Sequence, residues 1–264
     1  MIQYNYSNIF HCKIQVIVTL SVNESITLYN SSISLSVYSV SLENNEEIAM
    51  KVVIAHYKGG TGKTTTAVQL ALWRQITRPK KHVWLIDTDE QKSALDTISF
   101  RSELDLKPSL ACSAYSTAME LTSQLNAQGN LFDDIIIDSG GRDTDALRVA
   151  LLAADVLLIP VLPRAYDIWS ISRLEGLMES ARNLGANFRA YAFINRRDKT
   201  ADCRESIDFL KKDENLTYID FSFSDRVAYA KAGGVGRSVL EMRPKDKKAC
   251  EELDALAKFV FTKA

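Results

Sequence analysis

Two lysines stand five residues apart in the stretch K-G-G-T-G-K-T-T, Lys58 to Thr65. A turn built from Gly59, Gly60, Thr61 and Gly62 lets consecutive backbone N–H groups point inward on phosphate oxygens. A helix opening at Thr64 would add the unpaired N–H groups of its first turn (Thr64, Thr65) and the positive end of its dipole. Lys63 can then neutralise the β- and γ-phosphates of a nucleotide, and the Thr64 hydroxyl is placed to meet Mg²⁺. A strict phosphate-loop motif has glycine at position 57, where Tyr57 stands. One lysine suffices for that chemistry, so Lys58 needs a second explanation.

Carboxylates that could complete such a site end two apolar runs. In "FDDIIIDSGGRD", Phe132 to Asp143, three isoleucines lead into Asp138, which can hold the hydration shell of Mg²⁺. Asp133 and Asp134, at the other end of that run, read as structural. In "LIDTDEQKSALD", Leu85 to Asp96, a second run ends in Asp87 and Asp89.

The elements that must position these groups follow from pattern. Short β-rich apolar runs predict strands at 52–55, 83–86, 135–137, 156–159, 191–194 and 218–221. Between them, helical stretches are expected at 64–76, 144–154, 168–183, 201–212 and 245–263, the first with Val68, Leu72 and Ile76 on one face. Strands apolar on both faces and alternating with helices imply an α/β fold, a mostly parallel twisted sheet covered by helices on both sides. Ligands of such sheets bind beyond the carboxyl ends of the strands. The polar residues after each strand are therefore the place to look for chemistry.

Composition sets bounds. Lysine plus arginine (32) nearly balances aspartate plus glutamate (33), so bulk charge argues for neither a nucleic-acid nor a membrane partner. Cys12, Cys112, Cys203 and Cys250 form no C-x-x-C pair, and His11, His56 and His82 lack ligand spacing. A disulfide framework or zinc site is not expected, and a reduced cytosolic compartment fits. The longest uncharged run, Ser25 to Leu42, has nine Ser, Thr or Asn among 18 residues, too polar for a spanning helix. Composition shifts near Met50: residues 1–49 hold nine serines, six asparagines, no glycine and no proline. They are expected to be a poorly ordered extension, or sequence upstream of a true start at Met50. Residues 50–264 are expected to form the domain.

The K-G-G-x-G-K-T-T stretch resembles the deviant Walker A motif of the ParA/MinD family of P-loop ATPases. The resemblance implies ATP and Mg²⁺ as ligands, slow hydrolysis to ADP and phosphate, and a homodimer that forms on ATP binding. Lys63 would serve its own nucleotide. Lys58 would be the signature lysine that reaches the partner subunit's phosphates. "LIDTDEQKSALD" is similar to the family's D-x-D-P-Q-x-S-A segment, with Glu90 in place of proline, and implies that Asp89 orients the attacking water. "FDDIIIDSGGRD" resembles a Walker B strand, with Ser139–Gly140–Gly141 as the γ-phosphate-sensing switch. Asn195, ending "YAFIN", matches the position that contacts the adenine base. "AADVLLIPVLPRAYDIWS" (Ala153 to Ser170) and "DRVAYAKAGGVGRSVLEM" (Asp225 to Met242) extend the resemblance over residues 50–264.

Among the relatives, iron–sulfur members need paired cysteines, tyrosine kinases carry tyrosine-rich tails, and carboxylate–amine ligases lack the signature lysine. MinD-type switches end in a basic amphipathic helix, whereas "CEELDALAKFVFTKA" carries acidic residues and two lysines, so no stable membrane anchor is expected. The small ParA type without an N-terminal helix-turn-helix remains. It implies a cytoplasmic partition ATPase, nucleoid-associated when ATP-bound, with a ParB-like or ribbon-type DNA-binding partner. Non-specific DNA contact would fall to Arg196, Arg197, Lys231, Arg237 and Lys245. The alternative is a MinD-like or cargo-positioning ATPase that does not act on DNA.

Overall fold

The computed structural model describes residues 50–164 and 170–262. The expected N-terminal extension, residues 1–49, lies outside them, as do the first residues of the helix expected over 168–183.

The chain alternates strand and helix: β1 (Met50–Ile54), α1 (Lys63–Thr77), β2 (Val83–Asp87), α2 (Ser93–Glu103), β3 (Ala111–Ala114), α3 (Ala118–Gln128), β4 (Asp134–Asp138) and α4 (Asp145–Ala153). It continues through β5 (Val156–Val161), α5 (Ile171–Asn183), β6 (Arg189–Arg197), α6 (Ala201–Lys211), β7 (Thr217–Ser224), α7 (Val227–Gly233) and α8 (Lys247–Thr262). The sheet runs β3-β2-β4-β1-β5-β6-β7, and every described pairing is parallel. From β1 the chain moves to β2 on one side; from β4 it crosses β1 to β5 on the other. That reversal opens a crevice between β1 and β4 at their carboxyl ends. Register makes those ends level, with Ile54 and Asp87 both opposite Asp138.

The central strands are buried on both faces because their residues alternate between two cores. Val52, Ile54, Leu85 and Ile136 pack under α1, α2, α7 and α8. Val53, Ile86, Ile135 and Ile137 pack under α3, α4, α5 and α6. Leu253, Leu256 and Val260 of α8 lie in the first of these cores. At the amino end of β4, Arg74 donates to Asp134 over 2.6 Å with both side chains buried. Asp133 accepts from the His82 backbone over 2.7 Å. Both carboxylates thus hold the sheet together at the end away from Asp138.

β3, α2, α3 and the short α7 go beyond the strands and helices expected from pattern. β3 is Ala-Cys-Ser-Ala, four residues without a β-branched or aromatic side chain. In α2 only Ala94, Ile98 and Arg101 are buried, and the arginine interrupts the apolar stripe. It is 1% exposed because Glu241 takes its fork at 2.8 and 2.9 Å while the Pro108 and Gly236 carbonyls accept its other N–H groups. In α3 only Leu121 is buried, and the helix starts on a Thr117 cap whose hydroxyl accepts from the Glu120 N–H.

Candidate functional site

The loop after β1 is shaped by two glycines in the left-handed region, Gly60 at φ 78° and Gly62 at φ 95°. Gly62 caps α1 without a side-chain acceptor, and no acidic residue follows in the first turn. The first N–H groups of α1 therefore keep their positive field for an anion. The two lysines part company here. Lys63 is buried, with its ammonium donating to the Lys58 carbonyl over 3.1 Å. Burial lowers its pKa, and the charges of Asp138 and Asp89 oppose that shift. Lys58 is exposed, and its backbone N–H donates to His56 Nδ1 over 3.1 Å.

The carboxylates meet this loop from β2 and β4. Asp138 is fully buried, and neither of its oxygens closes a hydrogen bond. Burial pushes its pKa up to about 8, while the nearby Thr64 hydroxyl and the Lys63 charge favour the ionised form. A buried carboxylate without partners is costly in a native fold. Beside Thr64 and Lys63, it suits a hydrated divalent cation with phosphate. Its backbone is fixed by Thr88, whose N–H and hydroxyl both donate to the Asp138 carbonyl, at 2.9 and 3.0 Å.

Asp87 works as an anchor. Its carboxylate accepts from the N–H groups of Asp89, Ala94 and Leu95 at 2.9, 2.8 and 3.1 Å, tying the Asp89 turn to the start of α2. Burial raises its pKa against those three bonds. Asp89 is half-buried, accepts from the Gln91 N–H over 3.0 Å, and lies within 3.7 Å of where a Cβ on Gly140 would stand.

The loop is braced from two further sides. Asn195, at the carboxyl end of β6, donates its amide to the Thr61 carbonyl over 2.6 Å and accepts the Arg196 N–H over 3.0 Å. A Cβ on Gly62 would lie 2.0 Å from that amide nitrogen. Gly141, past β4, backs onto Gly59, where a Cβ would stand 3.0 Å from the Gly59 nitrogen.

Of the residues singled out by sequence, Lys58, Gly59 to Thr65, Asp89, Asp138 and Asn195 thus gather at one end of the sheet. The basic residues behave differently from one another. Arg197 is tied to Asp220 over 2.7 Å, Arg196 reaches Asp225 at 3.9 Å, and Lys231 and Lys245 are exposed. The Arg237 carbonyl accepts from Gln69 of α1 over 3.0 Å. Sequence reasoning passed over Thr88, the anchoring part of Asp87, and His56. The first two had a readable signal in "DTD", which places a hydroxyl and a helix-capping carboxylate right at a strand end.

The family model described as the CobQ/CobB/MinD/ParA nucleotide binding domain matches residues 52–239. The chain belongs to this family. As a MinD/ParA-family protein it carries the parallel-sheet P-loop fold, and the matched span holds Lys58 to Thr65, Asp87, Asp89, Asp138 and Asn195. It is 23% identical over 210 residues to Maintenance of carboxysome distribution protein A of Halothiobacillus neapolitanus, covering 79% of this chain and 94% of that relative. It is 26% identical over 159 residues to the Chromosome-partitioning ATPase Soj of Thermus thermophilus, covering 50% of this chain and 62% of that relative. Among solved structures, the ATP complex of Cyanothece McdA superposes with a TM-score of 0.64 at 22% identity, covering 81% of this chain and 96% of that one. Among the described residues, no helix is long and apolar enough to cross a membrane.

Proposed function

We propose that this MinD/ParA-family chain is an ATP-dependent dimerising switch ATPase that moves plasmid or chromosomal DNA in partition. One observation carries the reading: of two lysines in one phosphate loop, Lys63 is buried against the loop and Lys58 is exposed. The inward lysine serves the nucleotide in its own subunit. The outward one serves the nucleotide of a second copy.

The chain's own groups divide the work. The N–H groups of residues 59–65 cradle the phosphates, and Lys63 exchanges its carbonyl partner for phosphate oxygen. Thr64 and Asp138 would hold Mg²⁺, which supplies charge neutralisation at the phosphates when bound. Asp89, kept in place by Asp87, orients the attacking water, since phosphoryl transfer depends on position and charge. Ser139 to Gly141, packed on Gly59, senses the γ-phosphate. Hydrolysis then releases the dimer. Non-specific DNA contact falls to Arg196, Lys231, Arg237 and Lys245, with Arg197 held back by Asp220. A ParB-like or ribbon-type partner speeds turnover.

A second reading, a cargo-positioning ATPase that does not act on DNA, is favoured by the high coverage of the relative named for carboxysome distribution. Turnover measured with and without duplex DNA across a salt series separates the two. Partition predicts stimulation that falls steeply with salt, as phosphate contacts do. A rate indifferent to DNA supports cargo positioning instead.

A further inference from the structure

His56 and Tyr57 sit between β1 and the phosphate loop, and the chemistry above uses neither. His56 is fully buried, and its ring is read from both sides. The Lys58 backbone N–H donates to Nδ1 over 3.1 Å. A backbone N–H can only donate, so Nδ1 carries a lone pair and the proton of the neutral ring stands on Nε2. That Nε2–H faces the Ser170 hydroxyl at 3.4 Å, immediately before α5. Tyr57 extends the same docking, with the Arg173 guanidinium of α5 over its ring at 5.3 Å from the centroid.

We propose that His56, as a neutral imidazole, is the positioning residue for Lys58, fixing the lysine's backbone to the sheet and to α5 so that its side chain points outward. This rests on the reading of Lys58 as acting on a second subunit. The physical reason is local. Lys58 begins a turn dominated by glycines, whose backbone freedom is large. Without a fixed N–H at residue 58, the long lysine side chain starts from a mobile base and loses more entropy on reaching a partner. The Lys58 carbonyl is held by Lys63 only until that ammonium turns to phosphate, which leaves the His56 bond to hold the residue when nucleotide is bound.

Isosteres test this in the full chain with Mg·ATP. The amide oxygen of Asn can stand where Nδ1 accepts, whereas the Gln amide reaches the Nε2 position instead. His56→Asn should therefore dimerise within about 3-fold of wild type, while His56→Gln and His56→Leu should need roughly 10-fold more protein to dimerise. Light scattering reads the dimer, and ATP titration at low protein concentration reads the monomer, where the change should be smaller. His56→Leu dimerising like wild type overturns the proposal. If that variant does not fold, the Asn and Gln pair still decides: Gln equal to or better than Asn overturns it. Lys58→Ala, run in parallel, separates the failures. Normal dimerisation of Lys58→Ala removes the reading of Lys58 together with this one. A defective Lys58→Ala beside wild-type His56 variants removes only the part given to His56.

Discussion

The Lys63 ammonium donates to the Lys58 carbonyl over 3.1 Å, so the lysine proposed to serve the phosphates is held by the residue proposed to serve a neighbour. The contact holds the ammonium at the loop. Removing the charge leaves the loop N–H groups to bind phosphate alone. Lys63→Ala should weaken Mg·ATP binding by about 100-fold, the scale of a lost charge-assisted bond near 3 kcal/mol. Isothermal titration checks it, and wild-type affinity would remove the phosphate-loop assignment.

Asp138 carries a burial cost that ligand binding would offset. With its pKa pushed up to about 8, the folded chain holds a proton there that the unfolded chain releases near pH 4. Stability is therefore lost as pH rises from about 4 to about 8. Asp138→Asn removes that penalty and should stabilise the ligand-free protein by several kcal/mol at pH 8 and by little near pH 4. The same variant should lose the extra stabilisation that Mg·ATP gives the wild type. Thermal unfolding at both pH values, with and without Mg·ATP, reads all of this; a pH-independent difference would count against it.

Gly62 and Asn195 are coupled by space. Gly62→Ala places a Cβ 2.0 Å from the Asn195 amide at φ 95°, and should lower ATP affinity at least about 10-fold through strain of 1–3 kcal/mol. Asn195→Ala frees the space but releases the Thr61 carbonyl. In the double variant the two losses should add to less than their sum. Because both ends of the Asn195 amide are engaged with backbone, Asn195→Ala should weaken ATP and GTP alike. A selective loss of ATP would return the residue to the base contact that the resemblance implies.

Asp89 is fixed by its neighbours: its N–H donates to Asp87 and its carboxylate accepts from the Gln91 N–H. Asp89→Ala should bind ATP normally and accumulate as a long-lived dimer, with turnover reduced 10-fold or more. Stopped dimer dissociation with an ATP chase measures this, and wild-type turnover would refute it.

Much of this site was readable from residue order. Apolar runs ending in Asp87 and Asp138, and a glycine turn between β1 and α1, name both the strands and the groups at their carboxyl ends. The parallel order that makes Ile54, Asp138 and Asp87 level depends on pairing across the sheet, which no local pattern encodes. β3 lacked a pattern of its own because Ala111–Ala114 gains its place from the neighbouring β2. α2 was hidden because Arg101, a charged residue, fills a core position that only Glu241, far along the chain, can satisfy. His56 was read only as lacking ligand spacing, because its partner Ser170 is 114 residues away.

The central claim is that Lys58 acts on the nucleotide of a second subunit, and Lys58→Ala measures it most directly. ATP is titrated at low protein concentration, and mass is followed by light scattering at high concentration, on the same preparation. The account predicts monomer ATP affinity within about 3-fold of wild type, together with loss of the ATP-dependent dimer, because facing phosphate tails then lack their neutraliser. A Lys58→Ala protein that dimerises on ATP as wild type does, or whose monomer alone loses ATP affinity, would contradict it.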